Sequence, residues 1–266
     1  MRPVCCACGT QYPDAAEPPA SCPVCEDERQ YVPVGGQAWT TLEELRSAHA
    51  NRLEDDGGYL GIDTQPKVGI GQRAVLVPAG GSNLLWDCVA LLDDATAETI
   101  DARGGLRAIA ISHPHYYTTM LEWAERFDCP VHLHAADRAW VMRDGPALQF
   151  WEGETLELGD GLTLIRGGGH FPGGAMLHDA RGTGTLLSGD IIQVVPDRSH
   201  VGFMWSYPNL VPLPDRDVQH LAACVEPFAF DTIVGAFRGW VIPTGAKDAV
   251  RRSAARYPRA LRGELG

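Results

Sequence analysis

Residues 106–118 read Leu-Arg-Ala-Ile-Ala-Ile-Ser-His-Pro-His-Tyr-Tyr-Thr, and the fold turns on this stretch. Leu106 to Ser112 is a short apolar run bounded by polar residues, the pattern of a buried strand. His113 and His115 follow directly, two positions apart. In extended backbone, side chains at i and i+2 point to the same side, so both imidazoles can reach one metal. A third His stands in Gly167-Gly168-Gly169-His170-Phe171-Pro172-Gly173-Gly174, a loop whose glycines allow close backbone approach. Further on, Leu186-Leu187-Ser188-Gly189-Asp190 ends a strand in a carboxylate. Three imidazoles, with or without that carboxylate, make a catalytic zinc site that leaves room for water.

Around this stretch, strands alternate with helices. Strands are expected at Ala74–Pro78, Asn83–Cys88 and Pro130–His134. Hairpins are expected at 155–166 and 175–188, and a further strand at Asp231–Gly235. Helices are expected at Thr40–Glu54, where Thr41 and Glu44 fit a capping box, and at Ala95–Ala102, Thr118–Phe127, Asp215–Glu226 and Gly245–Leu261. Helices mixed with strands and hairpins imply an α/β layered domain with mixed sheets. His132 and His134 form a second H-x-H, but no partner set follows it, so they read as structural.

The 266 residues suit one large domain with a small appendage, taken as residues 1–36 followed by 37–266. Five of the eight cysteines fall in the first 25 positions. Cys5/Cys8 and Cys22/Cys25 are two C-x2-C pairs, 13 residues apart, that can complete a tetrahedral four-sulfur site. Cys6 is a spare that could replace Cys5. The segment is too polar to bury a core, so a metal would stabilise what packing cannot. Zinc is the default ion. Iron is the alternative, because Cys5 to Tyr12 also resembles the first half of a rubredoxin site.

The net charge of −12 argues against nucleic-acid partners and against an anionic membrane surface. No run of roughly 18 apolar residues is present, and the start lacks the apolar stretch of a signal peptide. A reducing cytoplasm is therefore the expected location, and a small molecule the expected partner, with a homodimer left open.

The order of these elements resembles the metallo-β-lactamase superfamily over roughly residues 59–245. The resemblance implies an αββα sandwich with a metal at one edge of the paired sheets. His113, His115 and His170 match the first-site ligands. Asp190 matches the carboxylate that usually bridges two metals, and Asp87 the aspartate that supports the site from behind. Where the family has a further Asp and His, this chain has Tyr117 and Thr118, and Phe237 or Arg238 stands in place of the last His. The second metal retains only Asp190, so a mononuclear site is expected.

Asp190 is then the proton acceptor or a metal ligand. Tyr117 cannot act as a base, since a free phenol has a pKa of about 10, but it or Tyr116 can donate a hydrogen bond to an oxyanion. Arg238 is expected as an isolated cation that holds a substrate anion or pairs with Asp190. Trp205 and Tyr207, in the long loop after Asp190, are expected to wall the substrate pocket.

The resemblance makes hydrolysis of a small ester, thioester, lactone or amide the leading expectation. A redox alternative uses iron, held by His113, His170 and Asp190 with His115 alongside, or linked to a rubredoxin-like module. A non-catalytic metal-binding scaffold is the third.

Overall fold

A computed structural model describes residues 1–265. The chain begins with a small module around the first cysteines. Strand β1 (Val4–Cys5) pairs antiparallel with β2 (Trp39–Thr40), and the short helix α1 (Pro23–Glu26) carries the second cysteine pair. Helix α2 (Leu42–Ala48) follows. The Thr41 hydroxyl accepts from the Glu44 amide and the Glu44 carboxylate accepts from the Thr41 amide, so the expected capping box is present.

The helix expected to run to Glu54 stops at Ala48, and Ala50–Asp55 is strand β3 instead. The reason is periodicity. Asn51 and Leu53 are half-buried while their neighbours are exposed, an alternation that suits a sheet edge and not a helix face. Strands β4 (Leu60–Gln65), β5 (Arg73–Ala79), β6 (Ser82–Trp86), β7 (Leu106–Ala110), β8 (Val131–His134) and β9 (Leu148–Trp151) complete the first sheet in sequential order. The β3–β6 pairings are antiparallel and the β6–β9 pairings parallel. Helices α3 (Asp94–Asp101) and α4 (Met120–Phe127) make the crossovers.

The second sheet has the order β10-β11-β12-β13-β18-β19. Its first four strands are Thr155–Gly159, Leu162–Arg166, Ala175–Asp179 and Thr185–Gly189. The segment after Asp190 forms two small ribbons, β14 (Gln193–Val194) with β15 (Val201–Gly202) and β16 (Met204–Ser206) with β17 (Val211–Pro212). Helix α5 (Asp215–Val225) then leads to β18 (Thr232–Gly235), which lies parallel to β13. Strand β19 (Val241–Ile242) and helix α6 (Ala246–Leu261) end the fold.

Three cores define four layers. Leu76, Leu85 and Ile109 on the first sheet pack with Ile100 of α3 and Trp123 of α4. The opposite face of the same strands, Val75, Val77, Leu84, Trp86 and Ala110, packs on Leu164, Leu177 and Leu187 of the second sheet. The far face of the second sheet, Ile165, Met176 and Leu186, packs on Leu221 of α5 and Val250 of α6. A strand buried on both faces needs a continuous apolar run, as Ala108–Ala110 of β7 provide. The result is the expected αββα sandwich.

Candidate metal centre

His113, His115 and His170 meet at one edge of the two sheets. Their nearest ring nitrogens all lie within 4.8 Å of one another, and all three residues are buried. The geometry starts at Asp87, just past β6. Asp87 is buried with φ 61°, and its Oδ1 accepts from the Ser112 amide at 2.7 Å. Asp87 thus fixes the path by which the chain leaves β7 and enters the H-x-H segment. Asn and Asp tolerate this left-handed conformation better than other side chains. Gly189, at φ 51°, completes the contact from the second sheet, since a Cβ there would meet the Ser112 side chain at 2.8 Å.

Two of the imidazoles are held from behind, and the third residue by its backbone. The Ser112 hydroxyl lies 2.9 Å from His113 Nδ1, and the Trp205 carbonyl lies 2.8 Å from His170 Nδ1. With the His170 proton on Nδ1 to meet that carbonyl, Nε2 carries a lone pair facing the cluster. The Gln72 amide donates to the His115 carbonyl at 2.9 Å. In the His170 loop, a Cβ at Gly174 would meet the Gly168 backbone carbonyl oxygen at 2.8 Å, so only glycine closes the loop.

The chemistry of the cluster fits a metal. His113 Nε2 is buried with no hydrogen-bond partner, a state that costs free energy. His115 Nδ1 and His170 Nε2 stand 3.5 Å apart. Two nitrogens on one tetrahedral zinc would stand about 3.4 Å apart. Burial and mutual repulsion hold His113 and His115 well below the ordinary imidazole pKa, and burial lowers His170 to about 4. All three are therefore neutral, the form that ligates.

Asp190 stands beside the cluster, with its Oδ2 3.9 Å from His113 Nε2. Burial pushes its carboxyl up to about 7. It also lines a cleft of about 150 Å³ with Val194, Pro196, Tyr207, Phe237 and Trp240, and no Lys or Arg lines that space.

The other sequence candidates divide. Tyr207 lines the cleft. Trp205 contributes its backbone carbonyl, and its ring lies within 5.9 Å of the Arg29 guanidinium. Tyr116 packs edge-on against His113, and its hydroxyl donates to the Ala236 carbonyl at 2.9 Å. Tyr117 is buried in the core beneath α4 and borders a small void with Thr10, Gln11 and Met142. Burial holds both phenols well above their ordinary pKa.

Arg238 is not an isolated cation and does not pair with Asp190. Its guanidinium binds Asp63, lies 3.5 Å from a Glu54 oxygen and donates to the Gly61 carbonyl at 3.1 Å. The carboxylates on β3 and β4 draw it to the sheet edge. The second H-x-H also stays structural on its His134 side, where Nε2 lies 3.2 Å from the Gly153 carbonyl.

The four cysteines converge as expected. Cys5 Sγ lies 3.6 Å from Cys25 Sγ, and Cys8 Sγ 3.7 Å from Cys22 Sγ. These distances are far beyond a disulfide bond and close to the about 3.8 Å between two sulfurs on a tetrahedral zinc. The Tyr12 hydroxyl and the Gln37 amide each donate to a sulfur, at 3.1 Å. Such donors suit thiolates. Cys6 is exposed and outside the cluster. A third group, Glu154, His220 and Cys224, lies at the surface, with Glu154 paired to Arg166.

Sequence reading missed three residues that shape the site. Phe171 lies within 5.6 Å, centroid to centroid, of all three imidazoles. Arg29 and Gln72 come from outside the motifs, and no local pattern marks them.

The fold is that of the metallo-β-lactamases. Solved structures of VMB-1 and TMB-1 superpose with TM-scores of 0.59 and 0.60, at 13% and 14% identity, over 79% of this chain and 98% of each of theirs. DIM-1 metallo-β-lactamase matches at a TM-score of 0.54 and 12% identity, over 76% of this chain and 97% of its own. No protein-family model matches the sequence. The chain belongs to the family of the uncharacterized protein YmaE of Bacillus subtilis (strain 168), with 48% identity over 268 residues, covering 98% of this chain and 97% of that one.

Proposed function

We propose that this protein is a metal-dependent hydrolase with a mononuclear catalytic site, zinc by its donor set, acting on an uncharged ester, thioester, lactone or amide. The observation that carries this reading is three neutral, buried imidazoles with convergent ring nitrogens, beside one carboxylate that also faces an apolar cleft. His113, His115 and His170 would hold the ion. When bound, it supplies Lewis acidity that polarises an acyl carbonyl and acidifies water.

The chain's own residues do the rest. Ser112 and the Trp205 carbonyl fix the ring orientations of His113 and His170. Asp190, between cluster and cleft, is placed to accept a proton. Tyr207, Phe237 and Trp240 bind the acyl group and exclude water. The positions of Tyr117, Thr118, Phe237 and Arg238 add no second set of ligands, which supports one ion there. The four-cysteine module would hold a second, structural zinc.

The substrate class follows from the cleft. Burying an unpaired anion against apolar walls is costly, and no cation lines this space to offset it. The test is a panel of chromogenic esters, thioesters and lactones, each in a neutral and a carboxylate-bearing form. Hydrolysis of the neutral members is expected, with kcat/KM at least tenfold above their anionic counterparts. Activity in none of them, or equal activity in His170→Ala, contradicts the reading.

A further inference from the structure

The four-cysteine module does not sit apart from the imidazole cluster. Past α1, three consecutive residues reach it. Asp27 holds Arg29 in a two-point pair, with Nε to Oδ1 at 2.6 Å and Nη2 to Oδ2 at 2.9 Å. Arg29 Nη1 donates to the His170 carbonyl at 3.1 Å. Its guanidinium lies 3.8 Å from the Phe171 ring centroid, on the ring that packs against all three imidazoles. The Glu28 carbonyl accepts from the Ser206 hydroxyl and, at 2.9 Å, from the Asn209 amide. That contact fixes the segment whose Trp205 carbonyl meets His170 Nδ1.

A second connection starts from the other cysteine pair. Gln72 Nε2 donates to the Cys8 carbonyl at 2.7 Å and to the His115 carbonyl at 2.9 Å. Gln72 is buried, so neither carbonyl has water as a substitute. Both cysteine pairs are thus tied to the catalytic loops, one to His170 and one to His115.

We propose that Arg29 and Gln72 are positioning residues through which the four-cysteine module sets the geometry of the imidazole cluster, so that tight metal binding by the imidazoles requires an intact module. The inference rests on the reading that both clusters bind metal. It assigns the module a part in the catalytic site that its spacing alone does not suggest. Partners that orient a ligand from outside the coordination shell typically change metal affinity 10–100-fold. Arg29 is a cation beside a cation site, and Asp27, paired with it, offsets part of that charge.

The test uses the full-length protein loaded with Co(II), which reports the two sites separately. Thiolate-to-metal charge-transfer absorption reads the cysteine site, and the further visible absorption gained once that band has saturated reads the imidazole site. Arg29→Ala and Gln72→Met are compared with the wild type by competition against a chelator. About tenfold or greater loss of affinity at the imidazoles is expected in each, with the charge-transfer band nearly unchanged; the melting temperature falls in Gln72→Met, which leaves two buried carbonyls unpaired, but cooperative unfolding is retained. Cys22→Ser, if it folds, is expected to weaken the imidazole site as well.

Imidazole-site affinity within threefold of wild type in both Arg29→Ala and Gln72→Met, or tighter binding in Arg29→Ala, overturns the proposal while leaving the hydrolase reading intact. Loss of the cysteine-site band in both variants overturns it too, because the residues would then support the module itself. Failure of the wild type to bind metal at the imidazoles overturns both readings.

Discussion

Asp87→Ala should loosen the whole metal edge. Asp87 holds the turn from which His113 emerges. Alanine removes the acceptor of the buried Ser112 amide, now 2.7 Å from Oδ1. An unsatisfied buried donor costs about 1–3 kcal/mol. Alanine also keeps a backbone at φ 61° without a polar side chain to favour it, which costs about 1–2 kcal/mol.

The sum is about 2–5 kcal/mol, a large share of the stability of a domain. Asp87→Asn should cost much less, because it keeps an acceptor and tolerates the left-handed region. Its neutral amide also replaces a carboxyl that burial has already pushed up to about 7. Urea unfolding of the metal-free protein reads the difference as a shift in midpoint at unchanged slope. Equal stability of Asp87→Ala and wild type, or equal damage from alanine and asparagine, would refute the reasoning.

Asp137 is buried and accepts from the Gly173 amide at 2.8 Å, and burial raises its carboxyl to about 6. Against an unfolded value of about 3.9, the stability from this group is fully present below pH about 4 and lost as pH rises through 6, by up to about 3 kcal/mol. Asp137→Asn should therefore gain on the wild type from pH 4 to pH 7 in urea titrations. Arg238→Gln breaks a partly exposed pair with Asp63 and Glu54, so a stability loss of about 1 kcal/mol is expected, with kcat and KM unchanged. Cys6→Ser should retain all bound zinc, whereas Cys8→Ser should lose one zinc per chain, as read by a colorimetric chelator.

The sandwich was legible because its central strands are buried on both faces and its turns are marked by glycine. Leu106–Ala110 and the hairpins have one periodicity and few alternatives. Strand β3 was misread because Ala50–Asp55 follows a capped helix and its edge position leaves only Asn51 and Leu53 to signal it.

At the site, the local motifs were legible: two imidazoles two residues apart, a glycine-flanked third, and doubled C-x2-C pairs. The partnership of Arg238 was not, since it depends on Asp63, 175 residues away, meeting it across the sheet edge. Arg29 and Gln72 were invisible for the same reason. Each acts through a backbone carbonyl of another segment, and a carbonyl has no signature in sequence.

One catalytic metal held by three imidazoles is tested by adding zinc stepwise to metal-free protein and measuring both occupancy and the initial rate on a neutral chromogenic ester. Two zinc per chain in total are expected. The rate should saturate with the single ion at the imidazoles and be abolished in His115→Ala, which keeps the cysteine-bound ion. Equal rates for His115→Ala and wild type, or a rate that appears only when a second ion joins the first at the imidazole site, would contradict it.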